Sequence, residues 1–311
     1  MTLNNQSSKL PHFLIIGAGK SGTTALEAYL NQHPDIYLPA IKEPNFFAYE
    51  KHHAEDFNDQ ETIDHFNNSI TDWDSYLQLF KDAANDQVIG EISNTYLCMS
   101  ESLANIKNHL PDTKLIAVIR QPAERIYSRY MHLLRVDKAP EGNFDEDVLD
   151  KSSIWWQRAD LINEGFYYQH LKRFYEAFDS KQIKVFLHED LLFNRDKTLA
   201  DICTFLDVDP SFTFNSTTAY NKSGVVKNQF FNKLVGNKSV LIKGLKGISP
   251  AVYSKIKGNR VLKDTIERLR NKNIKKKKMS GEVKKQITNI YKEDIKNLEG
   301  LIERDLSSWL N

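Results

Sequence analysis

A short apolar run that leads straight into a glycine-rich turn restricts this chain's folding more than any other stretch. Phe13–Ile16 is apolar throughout, Gly17–Thr24 contains three glycines, and the residues after it begin a helical pattern. A strand that is apolar at every position is typical of a buried parallel sheet. A glycine-rich turn before a helix presents backbone N–H groups to an anion, and the helix dipole adds to the attraction. The stretch therefore predicts a phosphate site at the edge of a parallel sheet.

The turn also carries side chains suited to a phosphorylated ligand. Lys20 adds a mobile positive charge, and the hydroxyls of Thr23 and Thr24 add hydrogen-bond donors. We therefore expect the ligand to contact Gly19, Lys20, Ser21, Gly22, Thr23 and Thr24.

Apolar strands alternate with helical segments over the first two thirds of the chain. Gln87–Glu91, Lys114–Ile119 and Ile183–Leu187 have strand character, with helical patterns between and after them. This alternation predicts an α/β fold with a central parallel sheet flanked by helices. We expect residues 1–10 to form a flexible tail and residues 11–311 a single domain, whose helical, lysine-rich part begins near residue 227.

Charge and cysteine content exclude several classes of protein. The 42 basic and 41 acidic residues give a net charge of +1, which argues against a general nucleic-acid binder. Cys98 and Cys203 are far apart, so neither a disulfide framework nor a structural zinc site is expected. No stretch has the apolar length of a transmembrane helix, and the N-terminus has no signal-peptide pattern, so we expect a cytoplasmic protein.

A second phosphate site is predicted where another strand ends. Arg120 follows the apolar run Lys114–Ile119, and Ser128 lies two turns into the next helix. Guanidinium groups suit bidentate recognition of phosphate, and ligands of parallel sheets bind beyond the strand carboxyl ends. Arg120 and Lys20 are therefore expected at the same edge of the sheet.

The glycine-rich turn departs from the ATP- and GTP-binding pattern G-x-x-x-x-G-K-[ST]. Gly19-Lys20-Ser21 fits the end of that pattern, but its first glycine would fall on Leu14, inside the strand. Arg120 also stands where an acidic residue would help an NTPase to hold magnesium. Both departures argue against a nucleotide kinase or NTPase, which is retained as an alternative.

These two motifs together resemble those of sulfotransferases that use 3′-phosphoadenosine 5′-phosphosulfate (PAPS). Gly17–Thr24 looks like the 5′-phosphosulfate loop of that family, and Arg120–Ser128 looks like its 3′-phosphate motif. Weaker similarities to the heparan-sulfate-type and bacterial carbohydrate branch cover nearly the whole chain, at His33-Pro34, Lys42–Phe47, Glu91–Tyr96, Gly165–Tyr168, Glu189–Leu191 and Asp305–Trp309. The resemblance implies a P-loop-like sheet, PAPS as co-substrate and no metal.

The resemblance also assigns roles to single residues. Glu43 aligns with the family's catalytic glutamate, which would take a proton from the acceptor while Lys20 stabilises the departing phosphate. Asn221 and Lys222 would belong to a late loop that closes over the nucleotide. Residues expected near the acceptor are Lys42, Ser93, Tyr96 and His132.

The acceptor is left open by the sequence. A hydroxyl or amine of a carbohydrate or glycolipid is the favoured class, with a small alcohol or a peptide tyrosine as alternatives. Trp155, Trp156, Tyr167 and Tyr168 are candidates for stacking on sugar rings, although aromatic residues on helices are more often core. Lys275–Lys278 suggests a peripheral contact with an anionic surface. A noncatalytic nucleotide- or glycan-binding protein on the same fold is a third alternative.

Overall fold

A computed structural model describes residues 9–136, 138–215, 225–226, 274–275 and 279–311. Asn221, Lys222 and Lys276–Lys278 lie outside the described residues, as do residues 1–8 of the predicted tail and the side chain of Lys275. The predictions made for them stay predictions.

Five parallel strands form the central sheet of the described chain. Its order is β2-β3-β1-β4-β5, and the strands are β1 (Phe13–Gly17), β2 (Ile36–Tyr37), β3 (Val88–Ile92), β4 (Lys114–Ile119) and β5 (Ile183–Leu187). The apolar run that opens the sequence is therefore the middle strand, and all five of its residues are buried. The predicted α/β fold with a central parallel sheet is confirmed.

Helices connect and cover these strands. The α-helices are α1 (Thr23–Leu30), α2 (Phe46–Tyr49), α3 (Gln60–Asn67), α4 (Trp73–Gln78), α5 (Ser100–His109), α6 (Pro122–Arg135), α7 (Phe144–Asp147), α8 (Ile154–Gln157), α9 (Tyr167–Ala177), α10 (His188–Phe193), α11 (Arg195–Phe205) and α12 (Gly281–Ile302). Short 3₁₀ helices span Ala54–Asp56, Asn94–Leu97, Asn163–Gly165, Ser180–Gln182 and Ser307–Leu310. Two further strands, β6 (Val225–Val226) and β7 (Ile274–Lys275), pair antiparallel to each other.

Each face of the sheet has its own hydrophobic core. Successive side chains of a strand point to opposite faces, so Leu14 and Ile16 join one cluster while Phe13 and Ile15 join the other. The first cluster contains the aromatic residues of α2 and α4, and the second contains α1 and α11. Burial on both faces explains why β1 has no polar position.

The C-terminal helix α12 packs onto α6 and α9. Asp294 accepts hydrogen bonds from the backbone N–H groups of Tyr168 (3.0 Å) and Gln169 (3.2 Å), which lie in the first turn of α9. The Tyr291 hydroxyl donates to the Ile162 carbonyl at 2.8 Å, and Gln121 Nε2 donates to the Trp309 carbonyl at 3.1 Å. The described part of the predicted helical extension is thus an integral wall of the domain.

None of the described helices is both long and apolar enough to cross a bilayer.

Candidate functional site

A cleft of about 1240 Å³ opens at the carboxyl ends of the central strands. Lys20 enters it after β1, Asn94 after β3, Arg120 after β4 and His188 after β5. Ligands of open parallel sheets bind at this edge. Lys20 and Arg120 therefore share one site, as the sequence predicted.

The turn between β1 and α1 has the geometry of an anion cradle. Gly22 has a φ of +103° and precedes the first turn of α1, where no side chain in the described part of the chain caps the backbone N–H groups. A Cβ at Gly22 would lie 3.0 Å from His188 Nδ1, and His188 Nδ1 in turn lies 2.8 Å from the Ser21 carbonyl oxygen. Left-handed φ and close packing both require glycine here. Gly19, Gly22, Thr23 and Thr24 line the cleft, whereas Ser21 is fully buried behind it.

Lys20 supplies a desolvated cation to this cradle. Burial, together with the nearby guanidinium groups of Arg129 and Arg135, lowers the pKa of its ammonium to about 8, although the charge of Glu43 opposes them. A partly dehydrated cation beside other cations is stabilised when an anion binds among them. The uncapped helix end and Lys20 together fit the 5′-phosphate end of a nucleotide.

Glu164 lies beneath the turn and was not predicted from the sequence. Its Oε1 accepts a hydrogen bond from the Gly19 N–H at 2.5 Å, and its Oε2 accepts one from Arg125 Nη1 at 2.7 Å. Glu164 is 4% exposed and Arg125 is fully buried. Burial raises the pKa of Glu164, and the charge of Arg125 opposes that effect. The pair links α6 to the turn from inside the protein.

The predicted second phosphate site lies on α6 and the end of β4. Arg120 and Ser128 both line the cleft, and Arg120 donates to Glu124 Oε2 at 3.0 Å. Lys284 of α12 also lines the cleft and reaches the other oxygen of Glu124 at 3.4 Å. Lys284 was not predicted from the sequence, because it lies 160 residues from Glu124 along the chain and belongs to no motif.

Glu43 reaches the cleft on a left-handed turn. Its φ is +50°, and Asn45 two residues later has a φ of +54°. Asn94 Nδ2 donates a hydrogen bond to Glu43 Oε1 at 2.7 Å. Non-glycine residues adopt this backbone region rarely and cluster at functional sites. The Phe46 and Phe47 rings that follow point into the core, against Tyr76, and away from this carboxylate.

Ser93 and Tyr96 do not line the cleft, which corrects the expectation that they lie near the acceptor. Both are fully buried. Ser93 Oγ donates to Glu91 Oε2 at 2.9 Å and accepts from the Asn45 N–H at 2.9 Å, and the Tyr96 hydroxyl accepts from the Phe47 N–H at 3.4 Å. These hydrogen bonds hold the backbone that follows Glu43 from the side that faces the core. The neighbouring Asn94 and Thr95 face the cleft instead.

Burial also perturbs Glu91, the carboxylate at the end of this buried network. Desolvation raises the pKa of Glu91 to about 7, although hydrogen bonds from Tyr96, Ser93 and Tyr76 oppose the rise. Glu91 is fully buried and does not line the cleft. Glu91 is therefore a buried carboxyl group that can be protonated near neutral pH, and it is separate from the carboxylates of the cleft.

Lys42 and His132, which the resemblance places near the acceptor, both line the cleft. Lys42 Nζ donates to Thr24 Oγ1 at 2.8 Å and lies 2.8 Å from Glu27 Oε2. His132 Nδ1 accepts a hydrogen bond from Arg135 Nη2 at 3.2 Å. Burial lowers the pKa of His132 to about 3, and the charge of Lys20 adds to the effect. His132 is therefore uncharged at neutral pH.

The remaining wall of the cleft combines a charged network with polar and aromatic groups. Asp160 pairs with the guanidinium groups of Arg129 and Arg158. The Tyr49 hydroxyl lies 2.9 Å from His65 Nδ1 on the same wall. The sequence did not predict these residues. Trp155, Trp156, Tyr167 and Tyr168, the candidates for stacking on sugars, pack in or against the hydrophobic core and do not line the cleft.

Among the described residues, no group of three or more His, Cys, Asp or Glu side chains is arranged to hold a metal ion. That the reaction needs no metal stays a prediction.

Comparison with known proteins finds a family, a solved structure and curated relatives that are similar to this chain. Residues 11–212 match the model of a sulfotransferase family. A solved sulfotransferase from Alicyclobacillus acidocaldarius is 26% identical, with a TM-score of 0.69 over 97% of this chain and 100% of that one.

Two curated relatives carry heparan sulfate in their names. Human heparan sulfate glucosamine 3-O-sulfotransferase 3A1 is 29% identical over 71% of this chain and 51% of its own length. Mouse bifunctional heparan sulfate N-deacetylase/N-sulfotransferase 4 is 26% identical over 68% of this chain and 24% of its own length. The chain thus spans about half the length of the first relative and about a quarter of the second.

Proposed function

This chain belongs to the sulfotransferase family, and from that membership we propose that it transfers a sulfuryl group from PAPS to a hydroxyl or amine of a carbohydrate or glycolipid acceptor. Glu43 acts as the general base, and Lys20 stabilises the departing phosphate. The proposal goes beyond family membership in naming the donor, the acceptor class and the two residues.

The single observation that carries the proposal is that Glu43 and Lys20 line the same cleft. They are close enough for the Glu43 charge to raise the pKa of Lys20, against the lowering caused by burial. A cation at the phosphate cradle and a carboxylate beside it are what an in-line transfer needs, because one stabilises the leaving group while the other accepts the proton of the nucleophile.

The donor half of the proposal is supported by two phosphate sites on one edge of the sheet. The uncapped turn at Gly22–Thr24 suits the 5′-phosphosulfate, and Arg120 with Ser128 suits the 3′-phosphate. We expect Arg120 and Ser128 to orient the nucleotide without taking part in the chemistry.

The atoms of the reaction balance without a further reactant. The acceptor O–H or N–H gives its proton to the Glu43 carboxylate as its heteroatom bonds to sulfur. The bond from sulfur to the 5′-phosphate oxygen breaks, which leaves adenosine 3′,5′-bisphosphate (PAP). A preorganised donor such as Lys20 contributes about 3–4 kcal/mol to a transition state of this kind.

The acceptor class is proposed from the relatives' names and from polar groups elsewhere in the lining of the cleft. Those names specify heparan sulfate, with both O- and N-sulfation among them. The lining offers hydrogen-bonding groups from Thr62, His65 and Arg158, which suit a polyhydroxylated ligand. A cytoplasmic location stays a prediction from the sequence.

An acceptor screen tests the proposal directly. The protein is incubated with ³⁵S-labelled PAPS and with N-sulfated heparosan, de-N-acetylated heparosan, a glycolipid fraction or a simple glycoside. We expect label in one of the saccharide products and equimolar PAP. Transfer to a peptide tyrosine alone would overturn the acceptor class.

Two controls separate the alternatives. Thermal stabilisation by PAP, but not by ATP or GTP, argues against a kinase or NTPase. The Glu43→Gln variant should keep PAP affinity within about twofold and lose at least 100-fold in turnover, in line with the usual contribution of a general base. Equal turnover in that variant would remove Glu43 from the chemistry, and PAP binding without any turnover in the wild type would favour the noncatalytic alternative.

A further inference from the structure

Asn94 makes a direct contact with the proposed base. Its Nδ2 donates to Glu43 Oε1 at 2.7 Å, and both residues line the cleft. A hydrogen bond of this length to a carboxylate is among the stronger side-chain contacts, because the acceptor carries charge. One oxygen of Glu43 is thereby occupied, which leaves Oε2 for an incoming proton.

The fold fixes Asn94 independently of Glu43. It follows directly after Ser93, whose N–H donates to the Ile15 carbonyl at 3.1 Å, and it is the first residue of a 3₁₀ helix. A Cβ built on Gly17 would come within 3.1 Å of the Asn94 carbonyl oxygen, so this backbone packs tightly on the phosphate turn. The amide is therefore held on the same rigid edge as Lys20.

The backbone of Glu43 is fixed as well. Asn45 Nδ2 donates to the Glu43 carbonyl at 2.6 Å, and Asn45 Oδ1 accepts from Thr95 Oγ1 at 2.8 Å. The Asn45 N–H donates to Ser93 Oγ at 2.9 Å. These bonds hold the left-handed turn but leave the rotation of the Glu43 side chain to be set by Asn94.

We propose that Asn94 is a positioning residue for the sulfuryl-transfer reaction: its amide holds one oxygen of the Glu43 carboxylate so that the other faces the acceptor. This inference rests on the proposed function of Glu43. Asn94 itself touches neither the donor nor the acceptor in this role, and it acts through Glu43.

Other charged and titratable groups also act on the Glu43 carboxylate. Lys20 faces the carboxylate from the phosphate turn, His65 from α3 and Glu91 from the end of β3, each within electrostatic reach. Lys42 is its neighbour in the chain. These groups are common to the wild type and to variants at position 94, so a comparison between them isolates the amide.

Substitution at position 94 tests the proposal. Asn94→Ala and Asn94→Asp are compared with the wild type for PAP formation from PAPS between pH 5 and 9, with the best acceptor of the screen and with water as acceptor. Asn105→Ala is the matched control, because Asn105 donates to the Phe47 carbonyl at 3.0 Å, on the same segment but behind it.

We expect Asn94→Ala to lose about tenfold in kcat near pH 6 with PAP affinity within twofold, and to recover part of the loss at higher pH. Asn94→Asp, which places a like charge beside Glu43, should shift the acidic limb of the profile further toward high pH. Asn105→Ala should follow the wild-type profile. An unchanged profile in Asn94→Ala, or a pH-independent loss together with weaker PAP binding, overturns the positioning role.

A spectroscopic readout does not depend on turnover. The Asn94 side-chain amide signal, assigned by its loss in Asn94→Asp, should move upfield in Glu43→Ala, because the bond to the carboxylate is lost. A signal that Glu43→Ala does not move overturns the proposal. If Glu43→Gln retains full turnover while this contact is present, the proposed function of Glu43 has failed and the contact has no catalytic role.

Discussion

Glu164 and Arg125 form a buried ion pair directly beneath the phosphate turn, and the other oxygen of Glu164 accepts a hydrogen bond from the Gly19 N–H. A buried pair is costly to desolvate, and breaking it by removing one partner is far more damaging than removing an exposed pair. The turn that is proposed to hold the donor therefore depends on a contact made 145 residues away in the sequence.

Removal of Glu164 should destabilise the whole domain. We expect Glu164→Ala to lower the free energy of unfolding by about 3–5 kcal/mol, since the buried Arg125 guanidinium loses its carboxylate partner. Urea denaturation measures the change. The control is Glu176→Ala, which breaks an exposed pair with Lys172 and should cost less than about 0.5 kcal/mol. Similar losses in the two variants would contradict the buried pair's role.

The affinity for PAP should fall as the pH rises through about 8. In the free protein, burial lowers the pKa of Lys20 to about 8. Bound phosphate favours the charged ammonium, so above pH 8 the protein takes up a proton when PAP binds. Calorimetry should show log Ka falling with a slope that approaches −1 per pH unit. Lys20→Arg should bind with a flat profile over the same range, because arginine stays charged. Parallel profiles would rule out Lys20 as the titrating group.

Stability should depend on pH through Glu91. Its pKa is raised from 4.5 to about 7 in the folded protein, so the unfolded chain binds fewer protons between these values. Stability contributed by the protonated acid is present below pH 4.5 and is lost as the pH rises through 7. The stability of the wild type relative to Glu91→Gln should fall by about 3 kcal/mol between pH 4.5 and 8. Urea midpoints of both proteins across this range measure it, and a constant difference would contradict the buried acid.

A side chain at Gly22 should damage the phosphate turn. Gly22→Ala combines a φ of +103° with a Cβ only 3.0 Å from His188 Nδ1, and backbone strain of this kind costs about 1–3 kcal/mol. We expect PAP affinity to fall at least tenfold by calorimetry.

Gly281→Ala is the control for that substitution. It lies in the first turn of α12 with no atom within 4 Å of a built Cβ, so its PAP affinity should match the wild type. If Gly22→Ala binds PAP as tightly as Gly281→Ala, the geometry of the turn does not govern binding.

The sequence predicted best those features that depend on residues adjacent in the chain. The run from Phe13 to Thr24 encodes strand, turn and helix locally, and the position of Arg120 after an apolar strand placed it on the same edge as Lys20. The carboxyl ends of parallel strands lie at one edge of the sheet whatever the details of side-chain packing. The shared edge of Lys20 and Arg120 could therefore be predicted from the strand assignments alone.

Tertiary packing decides where the residues that were missed or misplaced lie relative to the cleft. Glu164 and Lys284 come from segments with no motif of their own, so only the folded chain reveals them. Ser93 and Tyr96 were expected near the acceptor, but the 3₁₀ helix that begins at Asn94 turns Asn94 and Thr95 outward and directs the other two into the core. The direction of the backbone at Asn94 therefore decides which of these side chains line the cleft.

The connection between β2 and β3 supplies Lys42, Glu43, Tyr49, Glu61, Thr62 and His65 to the cleft but no strand to the sheet. The phosphate turn and the Arg120 site are built from other parts of the chain. Insertions or exchanges within this connection can therefore remodel one wall while the strand order and the phosphate turn remain as they are. The architecture is modular in that sense: the proposed nucleotide site and the wall proposed to meet the acceptor come largely from separate parts of the chain.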